Sequence, residues 1–274
     1  MGVLKTAVET WQLIINTGYD PKGKVFLEIG TGWIPIVPLA YYLMGAKRTI
    51  TIDLNPYIKE DLIKECLQYV SVNTEKIKNT FGPLLDNKRL DAITDLPKQG
   101  NYNVEQFYNL CGIEYIAPGD AAHTILSPNS IDIHTSNYVM EHIPPEILVA
   151  IIKEGNRIIK QNGLFVHNID YSDHFSHSDK TIVPINFLQF TEKEWIKYAG
   201  NRFMYMNRLR HDDFINIFLK CDHRILVNET NTNQTIYELL KKNSIKLDSR
   251  FKNKSIEVNS ILRARLITQK CVKE

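Results

Sequence analysis

No stretch of the 274-residue chain holds the ~20 consecutive apolar residues that a membrane-spanning helix needs, so no membrane partner is expected. Cysteine is scarce. Cys66, Cys111, Cys221 and Cys271 stand far apart without a Cys-x-x-Cys pair, which argues against a zinc knuckle and a disulfide framework and suits a reducing, cytoplasmic setting. Charge of one sign is lacking as well. Lys and Arg number 33 against 31 Asp and Glu, and the net +2 makes no field that would draw nucleic acid. There is no basic-then-apolar leader at the N-terminus, no internal repeat and no low-complexity tract. The Gly-Lys-Ser/Thr of a phosphate-binding P-loop is missing too, and so is a Tyr-x-x-x-Lys hydride-site pairing. With 43% hydrophobic and 23% charged residues, the chain has the composition of a soluble globular protein. Its length suits one large α/β domain with insertions.

What is present begins at Val25-Phe26-Leu27-Glu28-Ile29, an apolar run that breaks into Gly30-Thr31-Gly32. Such a run reads as a buried parallel strand that turns sharply toward a helix. Glycine permits positive φ there and lets a ligand approach bare backbone. Pro35 suits a first helical position, Ile36 to Met44 supply a buried helix, and Gly45 closes it. A second strand, Thr49 to Leu54, places Asp53 at its carboxyl end about twenty residues past the glycines, the spacing of a ribose-binding acid. A dinucleotide fingerprint wants Gly or Ala where Pro35 stands, so a nucleoside without a pyrophosphate fits better.

The Leu27-Glu28-Ile29-Gly30-Thr31-Gly32 stretch with Asp53 resembles the nucleoside half of class I S-adenosylmethionine-dependent methyltransferases. Ile34 stands where that family often has a third glycine. The resemblance implies a Rossmann-like, seven-stranded, mostly parallel sheet with helices on both faces and the last strand antiparallel, carrying helical insertions. It implies S-adenosyl-L-methionine as cofactor, with Glu28, Gly30, Thr31 and Gly32 toward its methionine part and Asp53 on the ribose hydroxyls. After a third strand at Gly112 to Ile116, the turn Ala117-Pro118-Gly119-Asp120-Ala121 offers Asp120 and Ala121 to the adenine. A fourth strand, Ser130 to Ser136, runs into Asn137-Tyr138-Val139-Met140-Glu141-His142, which resembles the Asn/Ser-x-Val-x-Glu-His stretch of small-molecule methyltransferases. In an open α/β sheet the crevice lies outside the carboxyl ends of such strands, so Asn137 to His142 is expected to face the reacting centre. The Asn-Pro-Pro-Tyr signature of many amine-directed relatives is absent, which tilts the acceptor toward oxygen or carbon.

A helix from Pro144-Pro145 and a fifth strand, Leu164 to Ile169, lead into the polar run Asp170 to Asp179. A hydroxyl acceptor must lose a proton, for which an imidazole is suited. His142 and His174 are the candidate bases. Asp170, Asp173 and Asp179 share no established metal-ligand spacing, so no metal is expected. The acceptor is read as a small molecule and the reaction as O-methylation. A nucleoside-binding module without turnover and an NAD-dependent oxidoreductase are the alternatives. Residues 1–274 are read as a single domain, with insertions near 71–111 and 170–210 covering the site. Phe187, Phe190, Trp195, Tyr198, Phe203 and Tyr205 are either acceptor-pocket wall or core. Arg208 and Arg210 beside them are either a clamp for a substrate anion or solvated residues before a helix capped near Asp212.

Overall fold

The computed structural model describes residues 2–100, 102–201 and 205–271. Its strands are β1 (Val25–Ile29), β2 (Arg48–Ile52), β3 (Ile113–Ile116), β4 (Ile131–Asn137), β5 (Ile159–Asp170), β6 (His223–Thr232) and β7 (Ile261–Lys270). They form one sheet in the order β3-β2-β1-β4-β5-β7-β6. β1, β2 and β3 are parallel, with Ile29 opposite Ile52 and Ile52 opposite Ile116, so their carboxyl ends finish level. β6 and β7 are antiparallel. Helices connect the parallel strands, as a Rossmann-like α/β fold requires. No helix among the described residues is long and apolar enough to cross a membrane.

Two compact units are distinguishable, Met1–Thr135 with Glu154–Val166, and Ser136–Lys153 with His167–Glu274. In the first, the helix Gly2–Asn16 buries Leu4, Ala7, Trp11 and Ile14 at helical spacing. Trp11 stacks on Phe26 of β1 with ring centroids 5.5 Å apart, and Phe26 lies 4.4 Å from Tyr41 of the helix Ile36–Leu43. Pro35 is that helix's N-cap, one position before the place the sequence suggested. Asn55-Pro56 reads in the sequence as a cap followed by a first-turn proline, but the next helix, Glu60–Val72, starts five residues beyond Asn55. Tyr57 N–H closes a tight turn onto the Asn55 carbonyl at 2.8 Å, and Glu60 and Asp61 then supply the acidic first turn that a helix dipole favours. Residues 71–111 are largely helical, and Asn103 and Gln106 form a reciprocal capping box at the start of Val104–Cys111.

In the second unit, Ile185, Phe187, Leu188, Trp195, Met206, Ile236, Leu240 and Phe251 make a core. Phe187 and Trp195 are therefore packing residues and not free pocket wall, while Tyr198 is exposed and Phe203 lies outside the described residues. Neither arginine is solvated or free to clamp a ligand. Arg208 is 2% exposed and donates to the carbonyls of Phe187 and Phe190 and to Glu192. Arg210 is fully buried and donates to the carbonyls of Tyr171, Asn259 and Ile261, with Val258 at 3.4 Å. Burial pulls its guanidinium down to about 10, so it is still a cation at neutral pH. Its backbone N–H also donates to the Asp213 carboxylate at 2.8 Å, which caps the helix His211–Lys220 close to Asp212, as the sequence suggested.

Replacing Arg210 by Met should orphan those carbonyls and lower stability by about 3–5 kcal/mol, read as a lower urea midpoint at an unchanged m-value. Arg210→Lys should recover little of it, since an ammonium cannot fork across carbonyls of two separate backbone segments. A second expected outcome concerns acid. His223 of β6 is buried against the Thr268 hydroxyl at 2.8 Å, and burial holds its imidazole down at about 4. The unfolded chain takes up that proton near pH 6.5, so this contribution to stability is complete above pH 6.5 and is lost as the pH falls toward 4. The loss is on the order of 3 kcal/mol. Urea unfolding at pH 7 and pH 4.5 should show His223→Gln losing less stability between the two than the wild type.

Candidate functional site

The first unit holds the residues expected at the cofactor. β1 ends at Ile29, and Gly30 N–H bonds the Ile52 carbonyl at 2.8 Å, which carries the chain over the end of β2. Gly30 and Gly32 take φ of 83° and 70°, where an L side chain is strained. A Cβ on Gly32 would meet nothing within 4 Å, so the face of the turn is open. Asp53 closes the motif. Its Oδ2 accepts from Thr31 N–H and Gly32 N–H, each at 3.1 Å. The Thr31 and Thr51 hydroxyls lie 2.6 Å apart behind it. Glu28 is 1% exposed and accepts from the Thr135 hydroxyl, which also reaches the Leu27 carbonyl, so its carboxylate braces β1 from within.

Asp53 also ties in the third strand end, with its N–H on the Ile116 carbonyl at 3.1 Å and its carbonyl accepting from Gly119 N–H at 2.9 Å. A Cβ on Gly119 would fall 2.9 Å from Ile52 and 3.0 Å from the Ile116 carbonyl, so only glycine allows this approach. Asp120 follows. Its carboxylate accepts from Ala122 N–H at 2.8 Å and meets His123 Nδ1 at 2.8 Å, and those bonds hold it below the usual carboxylate range. Ala121 is buried beside it. Trp33, directly after the glycines, is 56% exposed, stacks on Tyr57 and carries the Lys59 ammonium 4.7 Å over its ring.

The second unit brings the two candidate histidines together. Asn137 at the end of β4 pairs with Asn168 of β5 at 2.5 Å, and Tyr138 N–H bonds the Asn168 carbonyl at 2.9 Å. Tyr138 takes a φ of 57°, a left-handed conformation uncommon for an aromatic residue, and turns the chain into the short 3-10 helix Met140–His142. Asn207 pins that turn. Its side chain donates to the Met140 and Ile143 carbonyls at 2.8 Å each, and its N–H to the Glu141 carbonyl at 2.9 Å. His142 Nδ1 lies 2.9 Å from the Tyr205 carbonyl and is therefore the protonated ring nitrogen, which leaves Nε2 as an acceptor.

His174 sits 4.8 Å, ring to ring, from His142 and 4.6 Å from His177. Burial, with the neighbouring His142 ring, pulls its imidazole down to about 4. The acids of this loop divide by task. Asp173 is fully buried and accepts from Phe175 N–H, and Asp179 accepts from Thr181 N–H and its hydroxyl, so both hold backbone. Asp170 accepts from Ser172 N–H and its hydroxyl on one oxygen, and its other oxygen lies 3.9 Å from His177 Nε2. From sequence, Glu141 was placed only within the stretch facing the reacting centre, Asp170 was weighed only as an acid without metal-ligand spacing, and His177 was given no role. The signals were a Glu-His pair at the end of a strand and an acid and imidazole run at the end of the next, which only the fold joins. Glu141, His142 and His174 place one ligating atom each within 4.8 Å of one another, and so do Asp170, His174 and His177. Either set has the residue types that hold a divalent transition metal.

No protein-family model matches the chain, and no curated protein matches it in sequence. Solved structures do match it in shape. One is a SAM-dependent methyltransferase of Methanosarcina mazei, 15% identical, TM-score 0.52, covering 95% of this chain and 98% of that one. Another is the geranyl diphosphate C-methyltransferase of Streptomyces coelicolor, 10% identical, TM-score 0.53, covering 97% of this chain and 79% of the other. A third is the magnesium protoporphyrin IX methyltransferase of Synechocystis, 10% identical, TM-score 0.51, covering 98% and 84%.

Proposed function

We propose, for a chain with the fold of S-adenosylmethionine-dependent methyltransferases, that it binds S-adenosylmethionine and passes the methyl group to a hydroxyl of a small molecule. The observation that carries this reading is the Asp53 carboxylate held at 3.1 Å on two amides of the glycine turn. A strand-end acid and a positive-φ turn joined in this way form a nucleoside seat in which the acid can exchange those amides for ribose hydroxyls. Glu28, Gly30, Thr31 and Gly32 take the methionine side, while Asp120, Ala121 and Asn137 complete the set. The two named neighbours act on small molecules, geranyl diphosphate and magnesium protoporphyrin IX, which supports an acceptor of that size here.

Methyl transfer from a sulfonium is an in-line displacement in which positive charge is lost, so alignment of donor and acceptor supplies most of the catalysis. A hydroxyl acceptor must also give up its proton. The cluster of His142 and His174 activates it, because burial keeps the His174 imidazole neutral, and a neutral imidazole has the lone pair that this step needs.

Calorimetric titration with S-adenosylmethionine, S-adenosylhomocysteine and NAD tests the cofactor. The first two should bind and NAD should not, and Asp53→Ala should weaken S-adenosylmethionine by about 2–4 kcal/mol, two charge-assisted hydrogen bonds. Heat from NAD alone would overturn the reading. Turnover is then followed across hydroxylated acceptors as release of S-adenosylhomocysteine. His142→Ala and His174→Ala should each lower it by roughly 10²–10⁴-fold with cofactor affinity nearly unchanged. Full turnover in both variants would remove the histidines from the mechanism, and cofactor binding without turnover on any acceptor would make the chain a binding module.

A further inference from the structure

We propose that Glu141, His142 and His174 hold one divalent transition-metal ion, and that the histidine cluster acts on the acceptor through this ion. The starting point is Glu141. It is 2% exposed, and among the described residues its carboxylate has no cation and no side-chain donor, only the backbone amides of Asp170 and of Glu141 itself beside it. A buried carboxylate left without a cation or side-chain donor is disfavoured. A cation beside it removes that penalty.

The two imidazoles are prepared for the same task. His142 has its Nδ1 hydrogen committed to the Tyr205 carbonyl at 2.9 Å, the outer hydrogen bond by which ligating histidines are usually oriented, and its Nε2 lone pair is left over. The ring of His174 makes no hydrogen bond among the described residues and lies edge-on to His142 with centroids 4.8 Å apart. The three ligating atoms fall within 4.8 Å of one another. An ion with ligands at about 2.1 Å brings neighbouring ligand atoms roughly 3.0–3.4 Å apart, a change that small side-chain rotations supply.

The adjacent set of Asp170, His174 and His177 competes for His174 but is less available. Asp170 already accepts twice from Ser172, and His177 Nε2 lies 2.9 Å from the Ser172 hydroxyl. Two imidazoles with one carboxylate select Zn²⁺, Mn²⁺, Fe²⁺ or Co²⁺ over Mg²⁺ and Ca²⁺, which prefer oxygen ligands, and three protein ligands leave positions open. The role of the ion rests on the methyl-transfer reading. With the acceptor oxygen on an open position, its proton passes to solvent and the oxygen forms the new bond to the methyl carbon. The carbon–sulfur bond breaks with its electron pair left on sulfur.

The test uses the full chain, stripped with a chelator and titrated with Zn²⁺, Co²⁺ and Mg²⁺ in the absence of S-adenosylmethionine, so that its result stands apart from the cofactor assignment. Calorimetry should give one Zn²⁺ or Co²⁺ per chain, a Co²⁺ visible spectrum should appear, and Mg²⁺ should bind far more weakly. Glu141→Gln and His174→Ala should each weaken Zn²⁺ by more than the roughly 10–100-fold typical of an outer-shell loss. Asp179→Asn should leave it unchanged. Glu141→Gln keeps the shape of the side chain and removes only its ability to ligate as a carboxylate, so the stripped variant should melt no lower than the stripped wild type, and Zn²⁺ should raise the melting temperature of the wild type alone. Absence of stoichiometric Zn²⁺ or Co²⁺ binding by the wild type would overturn the proposal. Wild-type affinity in Glu141→Gln, or a loss confined to His177→Ala, would overturn the ligand assignment.

Discussion

A guanidinium sealed from water has to be surrounded by acceptors, and much of the second unit is arranged to meet that requirement for Arg210. Its donors end on carbonyls from Tyr171, just past β5, and from residues 259 and 261 at the start of β7. These segments are far apart in the chain, and the guanidinium fixes both to the first turn of the helix His211–Lys220. The loop that carries His174 and His177 leaves the sheet at Tyr171, whose N–H bonds the Leu262 carbonyl at 2.8 Å. The position of the imidazoles therefore depends on a cation that touches neither of them.

The first unit solves a similar problem with the opposite charge. Amides exposed by a positive-φ turn need an acceptor, and Asp53 supplies one from the neighbouring strand. Because β1 and β2 are parallel and in register, with Ile29 opposite Ile52, the acid just past β2 lands beside the turn just past β1. Register and spacing thus account for the contact between Asp53 and the glycine turn.

That local logic is why the nucleoside half was legible in the sequence. Apolar runs, Gly30, Gly32 and Asp53 follow one another within about thirty residues, and period and spacing suffice to place them. The seven-stranded, mostly parallel sheet with its antiparallel last strand followed from the family resemblance, and the structure agrees. Legibility ended where partners are remote or are backbone. Arg208 and Arg210 looked like surface charges because their acceptors are carbonyls, which no sequence pattern marks. Asn55-Pro56 looked like a helix start, since cap residues and turn residues are chemically the same, and Glu60 decides the matter only once the turn at Tyr57 is seen. Glu141 and His174 are 33 positions apart, and their meeting depends on where the chain goes after β4 and β5.

One consequence of the first unit is optical. The chain has three tryptophans. Trp11 is fully buried and Trp195 is 3% exposed, whereas Trp33 is open to solvent beside Gly32. Its ring lies between the Tyr57 ring and the Lys59 ammonium, so its emission reports on the same turn whose amides Asp53 holds. The protein thus carries its own fluorophore beside the glycine turn, and a change in that turn is visible in its emission without any label.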